Sequence, residues 1–163
     1  MGYVLEGEEK NVMIDRLPRI GITMGDAAGI GPEITVKCLA NAAIYKICDP
    51  VVLGDSRVIQ SAVNLTGTEF EVRSIGTAET STAQPGLIHV IDYQNVDPSA
   101  YEMGVVNANN GAAAVHYTQE AGRMCLDGRL AAMVSAPLNK ESMRSAGYHF
   151  EDISRQELCC GSH

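Results

Sequence analysis

The chain has 163 residues, 45% of them hydrophobic, and a formal net charge of −8. This length and apolar content predict a folded domain with a sizeable core rather than a disordered chain. The acidic balance, with no local cluster of Lys or Arg, argues against nucleic-acid binding, and no apolar run reaches the roughly 18 residues that a membrane-spanning helix needs.

Residues 1–17 carry acids where a secretory signal would be basic and then apolar, so we predict a flexible leader and a cytoplasmic protein. The five cysteines, an odd number with no C-x-x-C spacing, predict reduced thiols. Cys159, Cys160 and His163 are ligand-type side chains, but adjacent cysteines at a chain end rarely close a metal site. We therefore predict no metal ligands from this chain.

Strand and helix signals alternate from the first apolar run onward. Residues 19–24 predict a short strand, and residues 31–46 predict a helix in which Pro32 suits the first turn. The face that this helix is expected to bury contains Ile34, Cys38 and Ala42, widened by Val36 and Leu39.

A second strand and helix are predicted at residues 50–55 and 56–67. Ser56 is a candidate cap for this helix, and Gly67 is a candidate stop.

Two further strands are predicted at residues 70–75 and 87–93, and the second is apolar and β-branched enough to be buried. After an irregular segment, residues 107–128 carry the clearest helical pattern. Its buried positions step by three and four residues, at Ala114, Tyr117, Ala121 and Met124. Its candidate end signals are Asn109 or Asn110 at the start and Gly128 at the end.

A last strand over residues 129–137 and the start of a helix over residues 138–147 complete the pattern. Strands that alternate with helices predict an α/β fold with a largely parallel sheet. Sites in such sheets form at the carboxyl ends of the strands, which places the candidate positions just after residues 24, 55, 93 and 135.

The turn after the first strand contains Gly25, Gly29 and Gly31 within seven residues. Its G-x-x-x-G-x-G spacing matches neither the dinucleotide fingerprint nor the P-loop. Two interpretations remain open: backbone N–H groups that hold an anion, or a turn that packs a helix against the sheet. Asp26 lies at the end of the strand, where a carboxylate can serve a polar site or the turn itself.

The run from Ser135 to Lys140 follows the last strand, and Lys140 is a candidate to hold a phosphate or carboxylate. Lysines near helix starts are often only solvated, so this role stays an alternative. His89 and His116 are predicted to be structural, and His149 is the histidine that could lie near the site.

Three stretches, ITMGDAAGIGPEI, PVVLGD and GAAAVHYTQEAGRMCLDGRLAAMVSAPLNKESMRSAG, occur in this order over residues 19–150. They resemble the 4-hydroxythreonine-4-phosphate dehydrogenase family, and the chain looks closest to the branch that acts on D-threonate or D-erythronate 4-phosphate. The resemblance implies an α/β/α fold like that of isocitrate and isopropylmalate dehydrogenases, with an incomplete second half.

The resemblance also implies an activity. Family members are homodimers of pyridoxine biosynthesis that oxidise a phosphorylated hydroxy acid with NAD or NADP, after which the β-keto acid loses CO2. A divalent metal (Zn, Mg or Co) acts as a Lewis acid in this chemistry. Its ligands are expected outside this chain.

The family's glycine motif maps onto Gly25–Glu33, which makes Asp26 a candidate catalytic residue. Lys140 matches the family's lysine after the A-P pair and is a candidate for catalysis and substrate binding. Ser154 aligns with a substrate-contacting threonine, whereas Ile153 stands where the family has histidine.

The likeness stops at about Asp152, so residues 18–152 are interpreted as the N-terminal part of the dehydrogenase and residues 153–163 as a divergent tail. Two hypotheses follow: part of an active dehydrogenase, or a catalytically inactive fragment that only binds a ligand or partner. An unfinished sheet is also expected to expose apolar surface and to aggregate.

Overall fold

A five-stranded parallel sheet organises residues 16–149, which are the residues that the computed structural model describes. The strands are β1 (Arg19–Thr23), β2 (Asp49–Gly54), β3 (Glu71–Ile75), β4 (Leu87–Asp92) and β5 (Ala132–Ser135). They lie in the order β3-β4-β2-β1-β5, and every neighbouring pair is parallel. All five predicted strands are confirmed, although β5 is shorter than the prediction over residues 129–137.

Four α-helices connect or follow these strands: α1 (Gly31–Leu39), α2 (Ser56–Thr66), α3 (Ala108–Leu126) and α4 (Lys140–Ser145). Two short 3-10 turns lie at Ile44–Lys46 and Ala78–Thr80. Right-handed crossovers place α1 and α2 on one face of the sheet and α3 on the other. α4 packs against α3 and so joins the helices on that face. With helices on both faces of the sheet, the described residues form the predicted three-layer α/β/α arrangement.

The core lies around β2, whose residues are all buried. The predicted core face of α3 is confirmed, because Ala114, Tyr117, Ala121 and Met124 are buried. The two edge strands differ. β3 carries an exposed ion pair between Glu71 and Arg73, whereas β5 carries no charged side chain and leaves Val134 56% exposed.

The first helix is shorter than the prediction over residues 31–46. It ends at Leu39, and the N–H of Asn41 then donates to the carbonyl of Cys38. The side-chain oxygen of Asn41 accepts from the N–H of Ala43 at 3.0 Å, which turns the chain before the 3-10 turn.

The predicted buried face of α1 is also wrong in part. Ile34 is 44% exposed, and Cys38 and Ala42 are exposed as well. The reason is a tertiary contact, since a β-carbon on Gly31 would lie 2.4 Å from the carbonyl oxygen of Met24. That contact turns Gly31 toward the sheet, and the residues on the same face follow it: Thr35, Val36 and Leu39.

Two predicted helix caps shift by one or more residues. Asp55, not Ser56, caps α2 by accepting from the N–H of Arg57. Asn107, rather than Asn109 or Asn110, caps α3 by accepting from the N–H of Asn110 at 3.1 Å.

The predicted stops are confirmed, because Gly67 and Gly128 follow their helices with φ angles of 65° and 71°. The helices of residues 16–149 include none that is both long and apolar enough to cross a membrane. The predicted divergent tail, Ser154, most of the predicted leader and the Cys159, Cys160 and His163 group lie outside the described residues.

Candidate active site

Two motifs that are distant in sequence meet at the carboxyl ends of β1 and β5. The N–H of Asp26 donates to the carbonyl of Pro137 at 3.3 Å, and the N–H of Ala136 donates to the carbonyl of Thr23 at 3.1 Å. The helices that follow these two neighbouring strands lie on opposite faces of the sheet. Such a point of divergence opens a crevice at the strand ends, which is where ligands bind in open α/β sheets.

Asp26 is 1% exposed, and its two carboxylate oxygens differ in their hydrogen bonds. Oδ1 accepts from the N–H of Ala28 at 2.9 Å and holds the turn. Oδ2 is buried and has no hydrogen-bond partner within residues 16–149. A buried carboxylate oxygen without a donor is costly, so Asp26 remains a candidate site residue as well as a turn residue.

The backbone of the glycine turn favours the packing interpretation over an anion cradle. Besides the N–H groups of Asp26 and Ala28, the N–H of Gly29 donates to the carbonyl of Asp26 at 3.0 Å. These three donors are therefore engaged within the protein. Gly25, with a φ angle of 75°, and Gly31 both approach other backbone atoms closely, which is a packing role.

The carboxylate that follows β2 is structural, which the sequence did not reveal. Asp55 is fully buried and accepts from both the Nε and an Nη atom of Arg57. It also accepts from the N–H of Val96 at 3.2 Å. The hydrogen bonds that Arg57 donates to Asp55 raise the pKa of Arg57, and the pair fixes the segment after β4 to the start of α2.

The carboxylate at the end of β4 has a similar role. Asp92 accepts from the N–H and the hydroxyl of Ser56, at 3.0 and 2.6 Å, and from the hydroxyl of Ser74 at 3.0 Å. Burial disfavours its charged form, but these hydrogen bonds outweigh burial and lower the pKa of Asp92. Asp92 thus ties three strand ends together.

A cavity of about 400 Å³ opens beside this region, between the segment after β4 and the first turns of α3. It is lined by Asn95, Asp97, Ala100, Asn107, Asn109, Asn110, Ala112, Ala113 and His116. The N–H of Gly104 donates to the carbonyl of Ala28 at 2.7 Å, so the same segment also contacts the glycine turn. Burial raises the pKa of Tyr101 in this segment, with contributions from Asp55 and Asp26.

The predicted site residues have different outcomes in the structure. Lys140 is exposed and begins α4, three positions after the carbonyl that contacts Asp26. Ser154 lies outside the described residues, so its role stays a prediction. His89 is buried in β4 and accepts from the N–H of Thr82 at 3.5 Å, in keeping with a structural role, whereas His116 lines the cavity.

The metal that the resemblance implies finds no ligand set in the described part of the chain. Within residues 16–149, no group of three or more His, Cys, Asp or Glu side chains could hold a metal ion.

Comparison with known proteins gives the chain a family. Residues 46–156 match the family described as pyridoxal phosphate biosynthetic protein PdxA. The D-threonate 4-phosphate dehydrogenase of Cupriavidus necator is 41% identical over 138 residues, which cover 85% of this chain and 41% of the relative.

Solved structures support the same family. The 4-hydroxythreonine-4-phosphate dehydrogenase of Burkholderia phymatum shares 38% identity and a TM-score of 0.80, over 86% of this chain and 43% of that chain. The enzyme of the same name from Klebsiella pneumoniae shares 35% identity and a TM-score of 0.77, over 86% of this chain and 44% of that chain.

The sheet and its helices have the α/β/α fold of the isocitrate and isopropylmalate dehydrogenase type. Within that class, the chain belongs to the PdxA family. It spans 41–45% of the length of the curated relatives it matches.

Proposed function

We propose that this chain forms part of a nicotinamide-dependent dehydrogenase that oxidises a phosphorylated four-carbon hydroxy acid. The substrates in view are D-threonate 4-phosphate and 4-phospho-hydroxy-L-threonine, because the relatives are named for these activities. The observation that carries the proposal is the contact between the glycine turn and the loop before Lys140. Through this contact, Asp26, whose Oδ2 is buried without a donor, lies next to the loop that leads to Lys140.

Each candidate residue has a separate role in this proposal. Lys140 binds the anionic phosphate or carboxylate of the substrate as a point charge. Asp26 accepts the proton of the substrate hydroxyl at Oδ2, while Oδ1 stays bound to the N–H of Ala28. The nicotinamide, when bound, supplies the hydride acceptor. Ser154 contacts the substrate through its hydroxyl.

We further propose divalent metal dependence with ligands outside residues 16–149, loss of CO2 from the β-keto acid, and a homodimer, as the family resemblance implies. The assay described next, run with and without metal and with CO2 release measured, tests the first two, and the mass of the chimera in solution tests the homodimer.

The experiment uses this chain and a chimera in which it replaces the matching part of the Cupriavidus necator relative. Nicotinamide reduction is followed with D-threonate 4-phosphate, D-erythronate 4-phosphate and 4-phospho-hydroxy-L-threonine, and with D-threonate lacking the phosphate. We expect the folded chimera to reduce the cofactor with a phosphorylated acid only. Asp26→Asn should lower kcat by about 100-fold, and Lys140→Met should mainly raise KM, by about 10-fold.

A folded chimera that reduces no nicotinamide with any of these acids would contradict the proposal, as would full activity in both variants. The second candidate function is ligand binding without catalysis. Ligand binding without catalysis would give a raised Tm with the phosphorylated acids and no turnover in the chimera.

A further inference from the structure

A polar segment crosses the sheet near the amino ends of its strands, away from the candidate active site. It comprises residues 77–86, called the strap below, and contains the 3-10 turn Ala78–Thr80. One anchor of the strap is an ion pair, in which Glu79 accepts from Arg129 at 2.8 Å. The hydrogen bond from Arg129 lowers the pKa of Glu79 to about 2. This anchor therefore keeps its charges between about pH 5 and 8.

Two buried side chains of the sheet supply the other anchors. The hydroxyl of Ser81 donates to Oδ2 of Asp49 at 2.6 Å, and the N–H of Thr82 donates to Nδ1 of His89 at 3.5 Å. Asp49 and His89 are both buried. A ring nitrogen accepts a hydrogen bond only while it carries no proton, so this anchor requires neutral His89 with its proton on Nε2.

The same cluster contains a second acceptor for the His89 ring. His89 pairs with Val51 in the register of β4 and β2, so Asp49, two residues before Val51, lies on the same face of the sheet as His89. Oδ1 of Asp49 is buried and has no donor among residues 16–149. A protonated imidazole is a donor at both nitrogens, so charged His89 fits the free oxygen of Asp49 and no longer fits the N–H of Thr82.

The other charges near His89 leave Asp49 as its partner. Burial is the main cause that lowers the pKa of His89, and Arg73 acts in the same direction, whereas Asp49 and Glu71 oppose it. Arg73 lies opposite His89 on β3 and pairs with Glu71 at 2.6 Å. Arg19 lies opposite Asp49 on β1, with its Nε 3.8 Å from Oδ2. Glu71 is exposed and already engaged, so Asp49 is the buried acceptor for charged His89.

We propose that the strap is a pH-sensitive device: neutral His89 holds it at Thr82, and His89 that has taken a proton from solvent donates to Asp49 instead and releases Thr82. The anchors at Glu79 and Ser81 stay in place, so the release is confined to residues 82–86. No covalent bond of the protein changes. The device is independent of the proposed function, because the strap and the candidate active site lie at opposite ends of the strands.

The test is NMR spectroscopy of this chain between about pH 8 and 5. At the upper end, the ring nitrogen shifts of His89 should show the tautomer protonated at Nε2. As His89 titrates, the amide of Thr82 should lose hydrogen-exchange protection by about 10-fold or more. The amide of Ala136, which donates to the carbonyl of Thr23 at 3.1 Å, should keep its protection.

Three variants separate the parts of the device. His89→Asn keeps an acceptor for the N–H of Thr82 and should remove the pH dependence of its protection. The matched control, exposed His149→Asn, should preserve that dependence. Asp49→Asn removes the charge that favours protonated His89 and should lower the pKa of His89.

The measurements on the unaltered chain decide the question even if a variant fails to fold. A proton on Nδ1 of His89 at neutral pH would overturn the proposal, because Nδ1 could not then accept from Thr82. Protection of Thr82 that stays constant while His89 titrates would also overturn it. An unchanged pKa of His89 in folded Asp49→Asn would contradict the role of Asp49 as the second acceptor.

Discussion

Gly25 lies against the backbone of Pro137 so closely that a β-carbon on Gly25 would be 2.4 Å from the Pro137 carbonyl oxygen. Gly25 also has a φ angle of 75°, which side-chain-bearing residues rarely adopt. Gly25→Ala should therefore destabilise the fold by about 2–4 kcal/mol, measured by urea denaturation. The matched control is Gly122→Ala, where a β-carbon meets nothing within 4 Å inside α3. It should stabilise the fold by about 0.5–1 kcal/mol, and equal effects at the two glycines would refute the close contact.

The orientation of α1 can be tested with two alanine variants. Leu39 is buried against the core, and Ile34 is largely exposed. Leu39→Ala should lower the free energy of unfolding by about 2–5 kcal/mol, whereas Ile34→Ala should change it by less than about 1 kcal/mol. A larger loss of stability in Ile34→Ala than in Leu39→Ala would instead support burial of the face that the hydrophobic pattern predicts.

Asp55 should be essential to the fold rather than to the chemistry. Asp55→Ala removes the cap of α2 and leaves the N–H of Val96 without its acceptor. We expect a loss of about 2–4 kcal/mol in the free energy of unfolding. Asp127→Ala, at an exposed position, should stay within about 0.5 kcal/mol of the unaltered chain. A comparable loss in both variants would argue against the buried network.

His89 should make stability depend on pH. Burial lowers the pKa of His89, partly opposed by Asp49, so the unfolded chain binds the proton more tightly than the folded chain. The stability that neutral His89 contributes to the fold is fully present above the unfolded pKa of about 6.5. It is lost as the pH falls from there through the folded pKa. His89→Asn retains an acceptor for Thr82 and should flatten this slope, whereas exposed His149→Asn should preserve it. If the free energy of unfolding of His89→Asn depended on pH as in the unaltered chain, other groups would cause that dependence.

The uncharged edge of β5 should drive association. Edge strands without charged side chains offer unpaired backbone groups to other chains. Val134→Lys should reduce aggregation, measured by light scattering during slow warming. Leu65→Lys places the same charge at another exposed apolar position, on α2, and should help less. If both lysines act equally, net charge rather than the strand edge is responsible.

The strands and helices could be predicted because their signals are local. The apolar run of β4, the glycine stops at Gly67 and Gly128, and the three-and-four spacing of α3 need no tertiary information. The buried face of α1 could not be predicted in the same way. It depends on the contact between Gly31 and the carbonyl of Met24, which exists only once the strand and helix are packed.

The site was predictable only in part. The position of Asp26 and Lys140 at strand ends follows from the fold class, and their loops do meet through Pro137. The use of Asp55 and Asp92 in structural hydrogen bonds was not visible, because their partners come from other elements. The cavity lined by Asn110 was missed for the same reason, since an irregular segment and a helix form it together.

The proposed function requires that Lys140, beyond the carboxyl end of β5, binds a phosphorylated four-carbon acid. The most direct measurement is calorimetric titration of D-threonate 4-phosphate into this chain, its Lys140→Gln variant and Lys46→Gln, an exposed lysine in the turn that precedes β2. Our account predicts saturable binding that weakens about 10-fold or more in Lys140→Gln and is unchanged in Lys46→Gln. No saturable binding, or equal affinity in the two variants, would contradict it.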